Sequence, residues 1–504
     1  MGALAVTGAA LAACGQSSST DPASGASSGK PKRGGTVRLV TTTGSSSDNL
    51  DPAKELDAFS GFSTGLLYDT LLRVDASLNE TPRLASSYSA SPDASVWTFR
   101  IRDGVKFHNG ASLTSRDVAY TLTRSLDPKV GSGGLGLLQP YLARSGISTP
   151  DATTLKLTLT SPNAFLPQIL AQAYFGVLPD GATSFGVGTA AFKLKSFSSS
   201  LQNMEVVRFN DYWQPGLPYL DGVTMTTVDD DATRVQTLVS GQADAIIAVP
   251  PSAVSQLTGK VAPLTIKSGV WYNFCALKQG PFANPLVIEA LKYSQDRQKI
   301  LDIISPGVNV VSADVPVPPD DPFYPAGLAP RPYDPDKAKS LLKQAGFSDG
   351  LAAELWGFAG IQLNEAVAYR QTAAASGINV QTMSAPIATY YNNIWLKKPF
   401  VTDQWPRVHA SVALSQQFFA KSPTNECNFD NPHFEGLVNS ALKTTNVAQQ
   451  KKLMGDALEI VNDTAGSFAP GWTAYYFGVS NSLKGIFVTE AGGVDLYMDH
   501  AYFA

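Results

Sequence analysis

A mixed α/β fold divided into two or three domains is predicted for this chain, and three observations carry the prediction. The chain has 504 residues, about three times a typical ~150-residue domain. Hydrophobic residues make up 44% and charged residues 16%, enough apolar material for sizeable cores and too little charge for a disordered chain. Strand-like alternation recurs along the sequence, and at 364–380 a helical stretch, a glycine and an apolar strand follow one another, as layered α/β packing requires.

In chain order, residues 36–40 read as the first strand. Residues 96–102 (VWTFRIR) and 154–160 (TLKLTLT) alternate apolar with polar side chains, the period of a half-buried strand. Residues 223–228 make a further strand. The Asp103-Gly104 pair marks a tight turn, and a helix capped near Thr114 follows it. Residues 315–335 are rich in proline, which fixes its own φ and biases its predecessor, so an extended surface connection is expected there. Asp334-Pro335 then opens a helix through Ala338, Leu341 and Leu342 that stops at Gly346. A helix over 364–376 leads through Gly377 into the strand 378–380. A last helix over 448–463 is expected to bury Leu453, Ala457, Ile460 and Val461.

The N-terminus gives the address. Residues 1–13 are small, apolar and uncharged. They are too few to span ~30 Å of hydrocarbon, which takes ~20 helical residues, and suit the apolar core of a secretory signal, although no Lys or Arg precedes them. Leu11-Ala12-Ala13-Cys14 resembles a bacterial lipobox, with Cys14 as the lipidated residue. Residues 14–33, mostly Ser, Gly, Ala and Pro, form a tether unable to bury a core. The expectation is an extracytoplasmic protein anchored to the cell membrane by lipid. With 38 basic and 42 acidic residues the net charge is −4, which leaves no basic footprint for nucleic acid. Four His and three Cys give little material for a metal site, and none is expected. Pairing of Cys275 with Cys427 stays open.

Two motifs suggest chemistry that their context does not support. Gly61-Phe62-Ser63-Thr64-Gly65 matches the nucleophile elbow, but no strand precedes it. Residues 131–136 (GSGGLG) match a dinucleotide fingerprint, but follow Asp127-Pro128-Lys129 rather than a strand. Asp229-Asp230-Asp231 lacks the spacing of a calcium loop and reads as a solvated turn. No catalytic residue and no cofactor is expected.

A series of segments from Gly34 onward resembles the family 5 extracellular solute-binding proteins of ABC importers, the peptide- and nickel-binding group. Gly34-Gly35-Thr36-Val37-Arg38, Leu50-Asp51-Pro52-Ala53 and Leu67-Tyr68-Asp69-Thr70-Leu71-Leu72 are similar to the family's opening. The most specific stretch is 97–110 (WTFRIRDGVKFHNG), followed by Asp117-Val118-Ala119-Tyr120. Residues 188–194, 208–213, 220–223 and 241–244 continue the resemblance, as do 281–297 and 333–346. The resemblance implies a type II periplasmic-binding-protein-like fold of cluster C, bilobal with an extra third domain. Lobe 1 would comprise 34–77, 181–267 and 480–504, the extra domain 78–180, and lobe 2 268–479. It further implies capture of a solute by hinge closure, delivery to ABC permease subunits, and a monomeric receptor. The competing readings are a secreted serine hydrolase using Ser63 and His500, and a chaperone or sensory receptor on the same fold.

Peptide-binding members carry an acid after a Gly-Trp-like strand in the second lobe. Here the matching stretch is Thr402-Asp403-Gln404-Trp405-Pro406-Arg407, with Arg407 near the acid's place. A buried guanidinium favours a carboxylate or phosphate, so a peptide-like or anionic, opine-like solute is expected. Trp405-x-Arg407 and Pro423-Thr424-Asn425-Glu426 resemble a subgroup with W-x-x-R and N-E-T patterns. Trp405 and Arg407 are the first site candidates. Tyr272, Trp271 and Asn273, where the chain should cross between lobes, are the second, and Trp472 on the returning segment is the third.

Overall fold

The computed structural model describes residues 31–504 except 43–47, 55–57, 76–77, 359 and 490–494. The expected signal segment, Cys14 and the tether up to residue 30 lie outside the described residues.

An 11-stranded sheet runs through the segments expected to form the two lobes, one strand of it, Asn309–Val311, pairing off the main path with Ser467–Ser480. On the lobe-1 side lie Phe192–Ser198, Asn203–Arg208, Gly222–Thr227, Thr36–Thr41 and Ala245–Ile246. On the lobe-2 side lie Phe400–Pro406, Leu351–Phe358 and Ile378–Ala385. Between them two long antiparallel strands, Val261–Ala276 and Ser467–Ser480, belong to both halves. Their register is interrupted between Ile266 and Val270. Before the interruption, 261–266 face 475–480, which also pair with Ala245–Ile246 of lobe 1. After it, 270–276 pair with Phe400–Pro406 of lobe 2. A break in the ladder where two strands change lobes is where bending disturbs the fewest hydrogen bonds. Gly269 lies in this break. A Cβ there would stand 2.7 Å from Tyr475 Cβ, so only glycine lets the two strands pass at this distance.

A separate antiparallel sheet, Ala85–Ala90, Val96–Ile101, Thr154–Thr158 and Ile147–Asp151, stands where the third domain is expected. The alternation read from the sequence buries Trp97, Phe99, Leu155 and Leu157 in its core. Thr114 and Asp117 form the capping box of the helix Ser115–Ser125, with Thr114 N donating to Asp117 Oδ2 at 2.7 Å. His108 fastens this domain to lobe 1. Gly188 N donates to its Nδ1 at 3.2 Å, and its Nε2 lies 3.0 Å from Ala190 O.

Helix Pro335–Gln344 begins as expected, with Asp334 accepting from Lys337 N at 2.9 Å. Gly377 takes the left-handed conformation (φ 75°) between the helical stretch ending at Ser376 and the strand Ile378–Ala385. Two expectations need correction. The proline-rich segment runs over the surface only in its later part: Val315 and Val317 at its start are fully buried and pack in one core with Trp271 and Phe418. Asp314 beside them is also fully buried, paired with Arg297 at 2.8 Å and Arg331 at 3.2 Å. Proline sets the backbone extended, but the alternate apolar residues decide which side is buried. In helix Val447–Thr464 the buried stripe is Met454, Ala457, Leu458 and Val461, while Leu453 and Ile460 sit at its edge. The stripe is set by the neighbouring helix Pro432–Leu442, with which it packs.

Ser63 lies inside helix Ala58–Leu67, buried, and its Oγ donates to Phe59 O at 2.7 Å. That geometry does not expose a nucleophile. Asp230 caps the helix Asp231–Val239. Cys275 and Cys427 are both free and buried.

Candidate ligand-binding cleft

The third domain and lobe 2 meet across an interface that encloses space. Phe165 of the third domain places its ring 4.6 Å from His409 and 5.7 Å from Phe323, both of lobe 2. Ala164 N donates to Leu442 O at 2.7 Å across the same boundary. Helix Ala410–Phe418 starts at this contact, its first turn capped by His409, which accepts from Ser411 N at 3.3 Å. Beside it lies a cavity of about 490 Å³, within the ~300–1,000 Å³ of small-molecule sites.

Leu137, Tyr141 and Asn163 of the third domain form one wall. Ser411, Ser415, Gln416 and Phe419 form the other, continued by Lys421 and Pro423-Thr424. Lys421 is the one charged side chain among the described lining residues. The remainder supply hydroxyls, amides and apolar faces, which can orient a polar solute without ionising it. Gly133 and Gly136 of the glycine-rich stretch also border the cavity. A Cβ at Gly133 would meet Tyr174 at 2.5 Å and one at Gly134 would meet Phe175 at 2.7 Å, so close packing requires glycine at these two positions. Thr424 Oγ1 donates to Gln416 O at 2.7 Å, tying the loop to the end of the helix.

Four of the residues singled out in the sequence come together on one face of the sheet. Trp271 stands opposite both Trp405 and Trp472 in the strand pairing. Trp271 and Trp472 are buried, with stacked rings 6.4 Å apart. Trp405 Nε1 donates to Glu426 Oε1 at 2.8 Å, and Asn273 Nδ2 donates to Glu426 Oε2 at 3.0 Å. Tyr272, one residue out of phase, lies on the opposite face in the core with Phe274, and burial pushes its phenol well above the usual range. Arg407 sits by the hinge: its backbone N donates to Gly269 O at 3.2 Å. Its buried guanidinium faces Asp320 at 3.4 Å and Asp321 at 3.9 Å. Burial raises the Asp321 carboxyl, and Arg407 acts against that rise.

None of these six residues lines the cavity. Trp271 and Trp472 share a core with Ala410, Leu414 and Phe418, whereas Ser411, Ser415 and Gln416 of the same helix face the cavity. Trp271, Trp472 and Trp405 therefore lie behind the helix and the lining residues in front of it. The lining was missed because small polar residues on a helix carry no motif. Two of its parts, the glycine-rich stretch and Pro423-Thr424, were noticed for other reasons.

Two lobes joined by a pair of crossing strands, with a largely apolar cavity carrying a few polar groups where lobe 2 meets the third domain, have the architecture of a solute-binding receptor. The profile of the bacterial extracellular solute-binding proteins, family 5, matches residues 79–408, and the chain belongs to that family. It is the substrate-binding component of an ABC importer and works outside the cytoplasm. The glutathione-binding protein GsiB of Shigella boydii serotype 4 (strain Sb227) is 28% identical over 449 residues, covering 84% of this chain and 86% of the relative. GsiB of Escherichia coli K12 matches over the same span at the same identity. Among solved structures, Helicobacter pylori DppA in complex with the peptide STSA has a TM-score of 0.80 at 22% identity, covering 94% of this chain and 98% of that one. AgaA of A. tumefaciens R10 in complex with agropinic acid has a TM-score of 0.78 at 24% identity, covering 93% and 99%. These structures share the fold.

Proposed function

We propose that the chain captures a small polar solute of neutral to anionic character, peptide-like or opine-like, in the cavity between the third domain and lobe 2. The carrying observation is the lining itself, which offers Lys421 as a cation and no carboxylate among its described residues. A free ammonium group would find no counter-charge on this wall, whereas a solute carboxylate would. The named ligands of GsiB and AgaA, glutathione and agropinic acid, both carry carboxylates, which supports an anionic solute, and glutathione adds one ammonium group to its two carboxylates.

Capture is by closure and involves no bond-making. The solute touches both walls only when the lobes are together, so it favours the closed form by its contacts there. Trp405, Trp271 and Trp472 act on the solute from behind the helix, Asn273 through Glu426, Arg407 from the hinge and Tyr272 from the opposite face of the sheet. The receptor works as a monomer held to the membrane by lipid on Cys14, and passes its cargo to the permease subunits unchanged. Calorimetric titration with glutathione, with the same tripeptide amidated at both carboxyls, and with a lysine tripeptide tests the charge preference. Binding in the order acidic, amidated, cationic is expected, and Lys421→Ala, removing an exposed cation, should weaken the acidic ligand by about 0.5–1 kcal/mol. Preference for the cationic peptide would refute the reading.

A further inference from the structure

Glu426 is buried in the segment 419–431, which connects helix Ala410–Phe418 to helix Pro432–Leu442 without a helix or strand of its own. Its carboxylate accepts four donors. Oε1 takes Trp405 Nε1 at 2.8 Å and Trp395 Nε1 at 3.1 Å. Oε2 takes Asn273 Nδ2 at 3.0 Å and Cys275 Sγ at 2.8 Å. These donors come from the strands Val261–Ala276 and Phe400–Pro406 and from the turn after helix Ile387–Asn393. An ionised carboxylate has about four lone-pair sites, so one side chain here uses its full accepting capacity on three separate elements. Asp403 is buried alongside, and burial together with Glu426 pushes its carboxyl well above the usual range.

The position of this residue in the chain gives it a consequence for the solute. Phe419, Lys421, Ser422, Pro423 and Thr424 line the cavity, and Glu426 follows two residues later. At the start of the segment, Thr424 Oγ1 reaches back to Gln416 O. At its end, Glu426 is the bonded group that reaches the sheet.

We propose that Glu426 is a positioning residue for solute capture: its four hydrogen bonds pin the segment 419–424, the loop wall of the cavity, to the lobe-2 sheet. The inference rests on the cavity being the solute site. It adds a residue that touches no solute and that governs how firmly one wall is held. Without the carboxylate, Trp395, Trp405 and Asn273 lose their common acceptor, and the wall keeps its ties to the flanking helices, Ser422 and Thr424 to Gln416 O and Ala420 N to Glu435 Oε1.

The test uses the full chain with Glu426→Ala, Glu426→Gln and a Trp395→Phe/Trp405→Phe double variant. Hydrogen–deuterium exchange without solute should show amides of 420–427 exchanging at least tenfold faster in Glu426→Ala. Amides of the helix Val447–Thr464 should keep their wild-type rates. Glu426→Gln, which keeps one acceptor oxygen for the two indoles, should recover part of the protection, and the tryptophan double variant should lose part of it. Indole emission should shift in Glu426→Ala, because two of the seven tryptophans lose a charged acceptor. Glutathione titrated into the same proteins should bind Glu426→Ala at least fivefold more weakly, mainly through a faster off-rate. Unchanged exchange over 420–427, or an equal rise throughout lobe 2, would overturn the positioning role. If Glu426→Ala does not fold, the same comparison is decided by Glu426→Gln and the double variant. Wild-type protein that ignores glutathione would count against the solute class alone, because the exchange data judge the clamp without any ligand.

Discussion

Replacing Phe165 by alanine should open the receptor. Phe165 belongs to the third domain, yet only 6% of its surface is exposed because its ring sits against Phe323 and His409 of lobe 2. Separating the lobes returns much of that ring to water. Full burial of a phenylalanine is worth ~1.5–3 kcal/mol, and paired aromatic rings add ~0.5–1.5 kcal/mol. Part of the ring stays covered by its own domain, so we take about 2 kcal/mol as the share belonging to closure. That is a factor of about 30 in the ratio of closed to open forms. Apparent solute affinity scales with the closed fraction, so Phe165→Ala should bind solute up to ~30-fold more weakly while unfolding at nearly the wild-type denaturant concentration. Small-angle scattering should show a larger radius of gyration for the unliganded variant, returning to the wild-type value at saturating solute. An affinity within twofold of wild type, with an unchanged radius, would show that this contact does not hold the lobes together.

Three further outcomes follow from the same geometry. Gly269→Ala places a Cβ 2.7 Å from Tyr475 Cβ, which should cost ~1–3 kcal/mol in urea unfolding and change the closed fraction; wild-type values of both would remove Gly269 from the hinge. Arg407→Ala leaves Asp320 and the buried Asp321 without the guanidinium they face, so stability should fall by ~1–3 kcal/mol and an anionic solute should bind more weakly; unchanged affinity in a folded variant would take Arg407 out of solute binding. Glu365 is fully buried, and neither carboxylate oxygen meets a donor among the described residues. Burial therefore holds its carboxyl well above the usual range. The unfolded chain gives up this proton from about pH 4.3 upward while the folded chain keeps it, so stability is lost as pH rises, by about 1.4 kcal/mol per unit. Glu365→Gln should flatten unfolding free energy between pH 4.5 and 7, measured by urea titration; parallel curves for the two proteins would contradict this.

What the sequence disclosed and what it withheld divide along physical lines. Strands with strict alternation were legible because one face is buried and the other wet, as in Val96–Ile101 and Thr154–Thr158. Helix ends were legible where a side chain does the capping, as at Asp334 and Thr114. The proline-rich segment was misjudged because proline reports backbone shape and says nothing of which side packs, and Asp314 with its two arginines made burial there possible. The helix Val447–Thr464 was placed correctly, but its buried stripe depends on a neighbouring helix that no local pattern reveals. The tryptophans were singled out by a resemblance at Trp405 and by their place on the segments expected to cross between lobes, and the structure aligns three of them across adjacent strands. The cavity was hidden because its walls come from segments some 270 residues apart, such as Tyr141 and Ser411, with ordinary local sequences.

The central claim is that a solute is held, unaltered, between the third domain and lobe 2. The most direct measurement is a crystal structure of the protein with its co-purified or titrated solute bound. We expect density for the intact molecule between Tyr141 and Phe419, with a negatively charged group toward Lys421 and Phe165 still seated on His409. Density for a solute elsewhere in the chain, or for the products of its cleavage, would contradict the account.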